Sequence, residues 1–169
     1  DIEDGKKNLI KAIYKNVTSA RLCTKITNSY GISVSTIEHL MGAIYGEGID
    51  NILIEINNSE VPIMDGSAAD FVKSIREAGT KVQNVSKNFI EVLRKVEIKN
   101  NEKYISIEPF KKDFKIDFEL IYKNKLIGNQ RERLSMREGN LESIYNSRTF
   151  CLYEDIEKIK SIGLAKGGT

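Results

Sequence analysis

The sequence of 169 residues has no tryptophan, a single histidine and two cysteines, and each scarcity excludes something. Cys23 and Cys151 are too few for a disulfide framework, and neither sits in a C-x-x-C pair. That spacing argues against a thiolate zinc knuckle, and a reducing cytoplasm fits the cysteine usage. No apolar run approaches the roughly 20 residues of a membrane span. The opening Asp1-Ile2-Glu3-Asp4 is acidic and polar, unlike a secretory leader. The net charge is only +2, too small to argue for a nucleic-acid partner. Seven lysines between Lys87 and Lys115 are interleaved with Glu91, Glu97, Glu102, Glu108 and Asp113, which describes a solvated sheet surface. The richness in Lys, Asn and Ile reads as codon bias rather than function.

What is present suffices for a globular chain. With 40% hydrophobic and 30% charged residues the chain falls among folded proteins rather than disordered ones. Its length allows one ordinary domain or two small ones. Ile37, Leu40, Met41, Ile44 and Tyr45 recur at helical spacing and predict a helix over 32–45, entered from a strand and ended by Gly46 and Gly48. Ile52, Ile54 and Ile56 alternate and predict a strand over 51–56. Val61 to Gly66 reads as a turn with an apolar edge. Phe71, Val72 and Ile75 predict a second helix over 67–78, with Gly79 closing it. Strand-like runs follow at 89–98, 104–108 and 114–122, with a hairpin turn at Asn100-Asn101. Weaker helical patterns cover 137–146 and 155–161. The order is that of a two-layer α+β chain in two similar halves. The polar stretch 80–88 joins a first α+β domain over 1–82 to a second over 83–169. Both ends read as cut, the last residues stopping in a turn.

Few residues carry chemistry. Glu38 and His39, the lone histidine, are adjacent in Ser35-Thr36-Ile37-Glu38-His39-Leu40. Ser35 and Glu38 have the spacing of a capping box, each able to bond the other's backbone N–H. The competing reading makes Glu38 a general base beside a metal-bound water. His39 is either a core imidazole bonded to a carbonyl or a metal ligand. Asp65-Gly66-Ser67-Ala68 is a turn with a helix cap more readily than a phosphate site. Thr149, in Arg148-Thr149-Phe150, is a solvated strand hydroxyl or a donor to an oxyanion. On the residues alone these alternatives stay open.

Three segments together resemble one family. They are Ser19-Ala20-Arg21-Leu22-Cys23-Thr24 with Ser35 to Ala43; Gly48 to Asn51 continuing through Glu60-Val61-Pro62-Ile63-Met64-Asp65-Gly66-Ser67-Ala68 to Val72; and Ser147-Arg148-Thr149-Phe150 with Asp155-Ile156-Glu157 and Gly163 to Gly168. Ile116-Asp117-Phe118 and Asn129-Gln130-Arg131 add weaker support. In order and spacing they are similar to the zinc-dependent UDP-3-O-acyl-N-acetylglucosamine deacetylases of lipid A synthesis.

The resemblance implies a fold of two α+β domains, each a sheet packed on two helices, both incomplete here. It implies that the parent hydrolyses the acetamide of UDP-3-O-acyl-N-acetylglucosamine. His39 would be a zinc ligand, Glu38 the general base and Thr149 the oxyanion stabiliser. Leu22, Cys23, Phe150, Ile156 and Gly168 would border the passage for the acyl chain, and Phe118 would lie near the uridine. The family's remaining zinc ligands and its general-acid histidine have no counterpart in this chain. The 169 residues alone are therefore expected to be inactive. The parent is expected in the cytoplasm of a Gram-negative bacterium, peripheral to the inner membrane, as a monomer; the shorter chain would be prone to self-associate. The alternatives are a non-catalytic lipid- or partner-binding module that keeps the fold, and a structural α+β domain in which Glu38 is only a cap.

Overall fold

Backbone partners decide which of these local patterns become elements. The structure is a computed structural model that describes residues 7–161. The chain is α+β, with small antiparallel sheets and few helices. It forms two compact units, Asp1–Lys81 with Glu142–Thr169, and Val82–Leu141.

In the first unit, β1 (Val17–Ser19), β2 (Lys25–Thr27) and β3 (Ser33–Val34) form an antiparallel sheet in that order. The turn into β3 is closed by Asn28, whose side-chain oxygen accepts the N–H groups of Tyr30 and Ile32 at 2.9 and 3.0 Å. Helix α1 spans Glu38–Gly46 and α2 spans Ala69–Ala78, and the two pack against each other. Ile26, Ala43, Ile44, Val61, Val72 and Tyr145 are the buried apolar residues. The predicted stripe of α2 is sound: Val72 is buried, Phe71 and Ile75 are half-buried, and Gly79 follows at φ +74°, where a glycine carries no penalty.

The first helix begins later than its apolar spacing suggests, because residues before Glu38 are used elsewhere. Ser35 forms an isolated parallel bridge with Glu60, its N–H donating to Ser59 O and its carbonyl accepting from Val61 N–H. Thr36 is buried at φ +60°, an unusual conformation for a β-branched residue, and its hydroxyl donates to the Glu60 carboxylate at 2.8 Å. Ile37 precedes the helix with no side-chain cap, so the capping box, one of the two readings open for Ser35 and Glu38, does not form.

Gly46 does not stop α1 through a left-handed turn; it is the last helical residue. Its lack of a side chain admits Tyr145, since a Cβ there would lie 2.7 Å from the tyrosine Cε1. The expected strand over 51–56 is irregular and exposed, with Ile52 at 50% and Ile54 at 44%. Alternation makes a strand only where a neighbouring strand takes up its backbone groups, and none of the described sheets includes these residues.

The second unit holds two antiparallel hairpins. Strands β4 (Val96–Asn100) and β5 (Lys103–Ile107) turn at Asn101, with φ +54°. Strands β6 (Lys115–Ile121) and β7 (Asn129–Ser135) pair in full register, Ile116 opposite Leu134 and Asp117 opposite Arg133. Residues 89–95 of the first predicted run are not strand. Strand β7 escapes pattern reading because Asn-Gln-Arg-Glu-Arg has no apolar alternation; its partner recognises it by charge. Asp117 accepts from Arg131 through both oxygens at 2.6 Å and from Arg133 at 3.0 Å. Back in the first unit, α3 (Leu141–Tyr145), which starts at the last residue of the second, leads to α4 (Ile156–Ser161).

Candidate functional site

The amide groups at a helix start need acceptors, and a carboxylate in the first turn also meets the positive end of the helix dipole. Glu38 opens α1 and has that opportunity, yet its carboxylate turns outward from its own helix. Its Oε2 accepts the backbone N–H of Thr24 at 3.0 Å, from the loop between β1 and β2. The Thr24 carbonyl in turn accepts the Ile37 N–H at 3.4 Å. This reciprocal pair ties the loop carrying Leu22 and Cys23 to the start of α1. Leu22 stands at φ +66° and is 61% exposed, while Cys23 is half-buried. Glu38 and His39 are both half-buried.

Around Thr149 a second constellation forms. Asp65 closes a tight turn in which its Oδ1 accepts from the Ser67 N–H at 2.9 Å and the Ser67 hydroxyl at 2.6 Å. The fully buried Ser67 passes the connection on, its Oγ accepting the N–H of Ala69, the first residue of α2. The expected turn is present, while the residue in the N-cap position of α2 is Ala68, which carries no side-chain cap, so that Ser67 meets only the first helical N–H from one residue further back. Arg148 pairs with Asp65 at 3.2 Å. The hydrogen bonds from Ser67, with Arg148 adding to them, hold the Asp65 carboxyl below its usual range.

The same turn holds the backbone of the segment behind α3. Ala68 N–H donates to the Tyr145 carbonyl at 3.0 Å, and Thr149 N–H donates to the Gly66 carbonyl at 2.8 Å. Gly66, at φ +86°, lies under the Thr149 side chain: a Cβ there would meet its Cγ2 at 3.5 Å. Thr149 is thus exposed at its side chain and fixed at its backbone.

The structure brings Leu22 and Cys23 to Glu38 through Thr24, and it brings Thr149 and Phe150 to the turn before α2. Phe150 is 54% exposed, and Ile156 opens α4 half-buried. Phe118 lies on β6 in the other unit, 58% exposed. Gly168 falls outside the described residues. Sequence reasoning missed Thr24 as the partner of Glu38 and Arg148 as the partner of Asp65. Only the opposite charges of Asp65 and Arg148 could have signalled either.

A metal would need more than this chain shows. Among the described residues no group of three His, Cys, Asp or Glu side chains is arranged to hold an ion. His39 offers one ligand where zinc sites use three or more. The donor set does not make a metal centre by itself. No helix among the described residues is long and apolar enough to cross a membrane.

Over its whole length, residues 1–169, the chain matches the family model described as UDP-3-O-acyl N-acetylglycosamine deacetylase. It is 44% identical over 154 residues to a UDP-3-O-acyl-N-acetylglucosamine deacetylase of Nautilia profundicola, a match covering 90% of this chain and 52% of that protein. The protein of the same description from Pseudoalteromonas translucida is 38% identical, with 90% and 51% covered. That from Actinobacillus pleuropneumoniae is 34% identical, with 98% and 56% covered. The chain thus spans about half the length of the curated relatives it matches.

Proposed function

This chain belongs to the UDP-3-O-acyl-N-acetylglucosamine deacetylase family, and on that premise we propose that the whole protein hydrolyses the acetamide of UDP-3-O-acyl-N-acetylglucosamine. The products are acetate and UDP-3-O-acyl-glucosamine, a committed step of lipid A synthesis. Glu38 acts as general base, taking a proton from the attacking water. Thr149 donates its hydroxyl hydrogen to the oxyanion that forms on the amide carbonyl. His39 would be one ligand of a zinc ion in the whole protein, and that ion would acidify water and polarise the carbonyl.

The observation that carries this reading is the Thr24–Glu38 bond. A carboxylate spent on its own helix end would have been a cap and no more. This one is oriented by a neighbouring loop, as a base must be, and shares that loop with Leu22 and Cys23. Those two residues, with Phe150, Ile156 and Gly168, are proposed to border the acyl chain, and Phe118 to lie near the uridine. The whole protein is proposed to be cytoplasmic, a monomer peripheral to the inner membrane, dividing into domains at about residue 82.

Glu38→Gln in the full-length protein tests the base. The amide oxygen still accepts from Thr24, so the fold is kept while the proton acceptor is lost. Turnover should fall roughly 10²- to 10⁴-fold with melting temperature nearly unchanged. Unchanged turnover with lowered stability would return Glu38 to a purely structural role. The 169 residues by themselves should show no deacetylation above a zinc-free control, and metal analysis should find zinc in the full-length protein only.

A further inference from the structure

The most tightly enclosed aromatic of the first unit is Tyr145, 3% exposed, with its hydroxyl buried beside the Glu47 carboxylate. Burial, with the Glu47 carboxylate adding to it, pushes that hydroxyl up to about 12, so it stays protonated. The ring is held hard. It fills the space left open by Gly46 at the end of α1, and the Arg76 guanidinium lies 5.7 Å from its centre. Arg76 is itself fixed by Glu47 at 2.8 Å and Glu142 at 2.6 Å. The Tyr145 carbonyl accepts from Ala68, and four residues later Thr149 N–H returns a bond to Gly66. Between these two bonds the chain has little freedom, and the Arg148–Asp65 pair removes more of it.

We propose that Tyr145 is a positioning residue for the Thr149 hydroxyl: its ring, wedged on Gly46, fixes the segment 145–149 against the turn 65–68. The ring touches no substrate. It acts by placing a donor whose value depends on tenths of an ångström, since misplacement by about 1 Å can cost about 100-fold. This inference rests on the proposed role of Thr149.

The test uses the full-length enzyme with Tyr145→Leu, Tyr145→Phe, Gly46→Ala and Thr149→Ala, alone and combined. Tyr145→Leu should lower kcat roughly 10- to 100-fold with KM within about twofold, and Tyr145→Phe, which keeps the ring, should restore kcat to within about threefold of the parent. Gly46→Ala pushes on the ring from the helix side and should reproduce the loss; it serves where the leucine variant does not fold. In a Thr149→Ala background either substitution should have no further effect on kcat, because the donor it positions is gone. An equal fold-loss with and without Thr149 overturns the proposal, as does an unchanged kcat in a folded Leu or Ala variant. Unchanged turnover in Thr149→Ala alone overturns the oxyanion role instead, so the two failures are distinct.

Discussion

In the unit Asp1–Lys81 with Glu142–Thr169, six apolar side chains are at most 6% exposed. In Val82–Leu141 the apolar faces of the strands stand open: Ile98 is 63% exposed, Ile105 67% and Ile107 48%. No residue of 82–141 is buried. Yet the second unit has the longer strands and the more regular ladders. Regular pairing and burial are therefore separate achievements. A backbone hydrogen bond contributes only about 0.5–1.5 kcal/mol net, and an isolated two-stranded hairpin is marginal in water. Across the strands the hairpins add polar contacts instead: Asp117 pairs with Arg131 and Arg133, and Glu97 accepts from the Tyr104 hydroxyl, while Lys95, just before β4, pairs with Glu97 along the same chain.

The widest separation between the two units should come from truncating their isoleucines. Ile44→Ala removes a side chain that is 5% exposed and should cost about 2–5 kcal/mol in urea unfolding. Ile105→Ala should change stability by no more than about 0.5 kcal/mol. Equal losses would mean that the hairpin face is covered in solution.

Amide exchange gives the next contrast. The N–H groups of Val72 and Glu47, bonded to Ala68 and Ala43 carbonyls, should exchange slowly, and those of 96–107 orders of magnitude faster. Comparable protection would break the distinction.

The smallest effect should be seen in acid. Glu47 is held below its ordinary 4.5, first by the Arg76 hydrogen bond and against a burial penalty that raises it. A depressed carboxyl contributes stability that is complete above 4.5 and lost as pH falls through its lowered native value. Asp117 is depressed further, by the two arginines, from its ordinary 3.8, so its contribution fades below that pH. Because the Asp117 cluster is solvated, added salt should weaken it, while the Glu47 contact, with its carboxylate only 16% exposed, should respond less. NMR titration of both carboxyls at two ionic strengths measures this.

How much could be read from the sequence follows the same division. Helix α2 was legible because Phe71, Val72 and Ile75 face one way and Gly79 closes it, and the structure uses each for that purpose. The turn at Asn100-Asn101 was legible because Asn tolerates the left-handed conformation found at Asn101. The strand expected at 51–56 was misread because alternation records a preference and not a partner. Strand β7 was invisible for the opposite reason, having a partner and no alternation. Glu38 shows how a local rule loses: the capping spacing is in the sequence, but Ser35 is held in the bridge to Glu60 and Ile37 takes the N-cap position, and Glu38 accepts instead from Thr24, 14 residues upstream. Thr149 was visible as a hydroxyl in a suggestive run, while the anchoring of its backbone to Gly66 spans the chain and leaves no mark in either segment alone.

The neck formed by Ser35, Thr36 and Glu60 has a consequence for how the molecule can vary. It closes residues 35–60 into a ring that contains α1 and ends in the irregular, solvent-facing stretch 51–58. A ring clasped at its neck can change circumference on its open side without moving what hangs at the clasp. Extra residues inserted between 51 and 58 would lengthen the loop and leave the Glu38-His39 pair in place, so this is where relatives can differ in length at least cost.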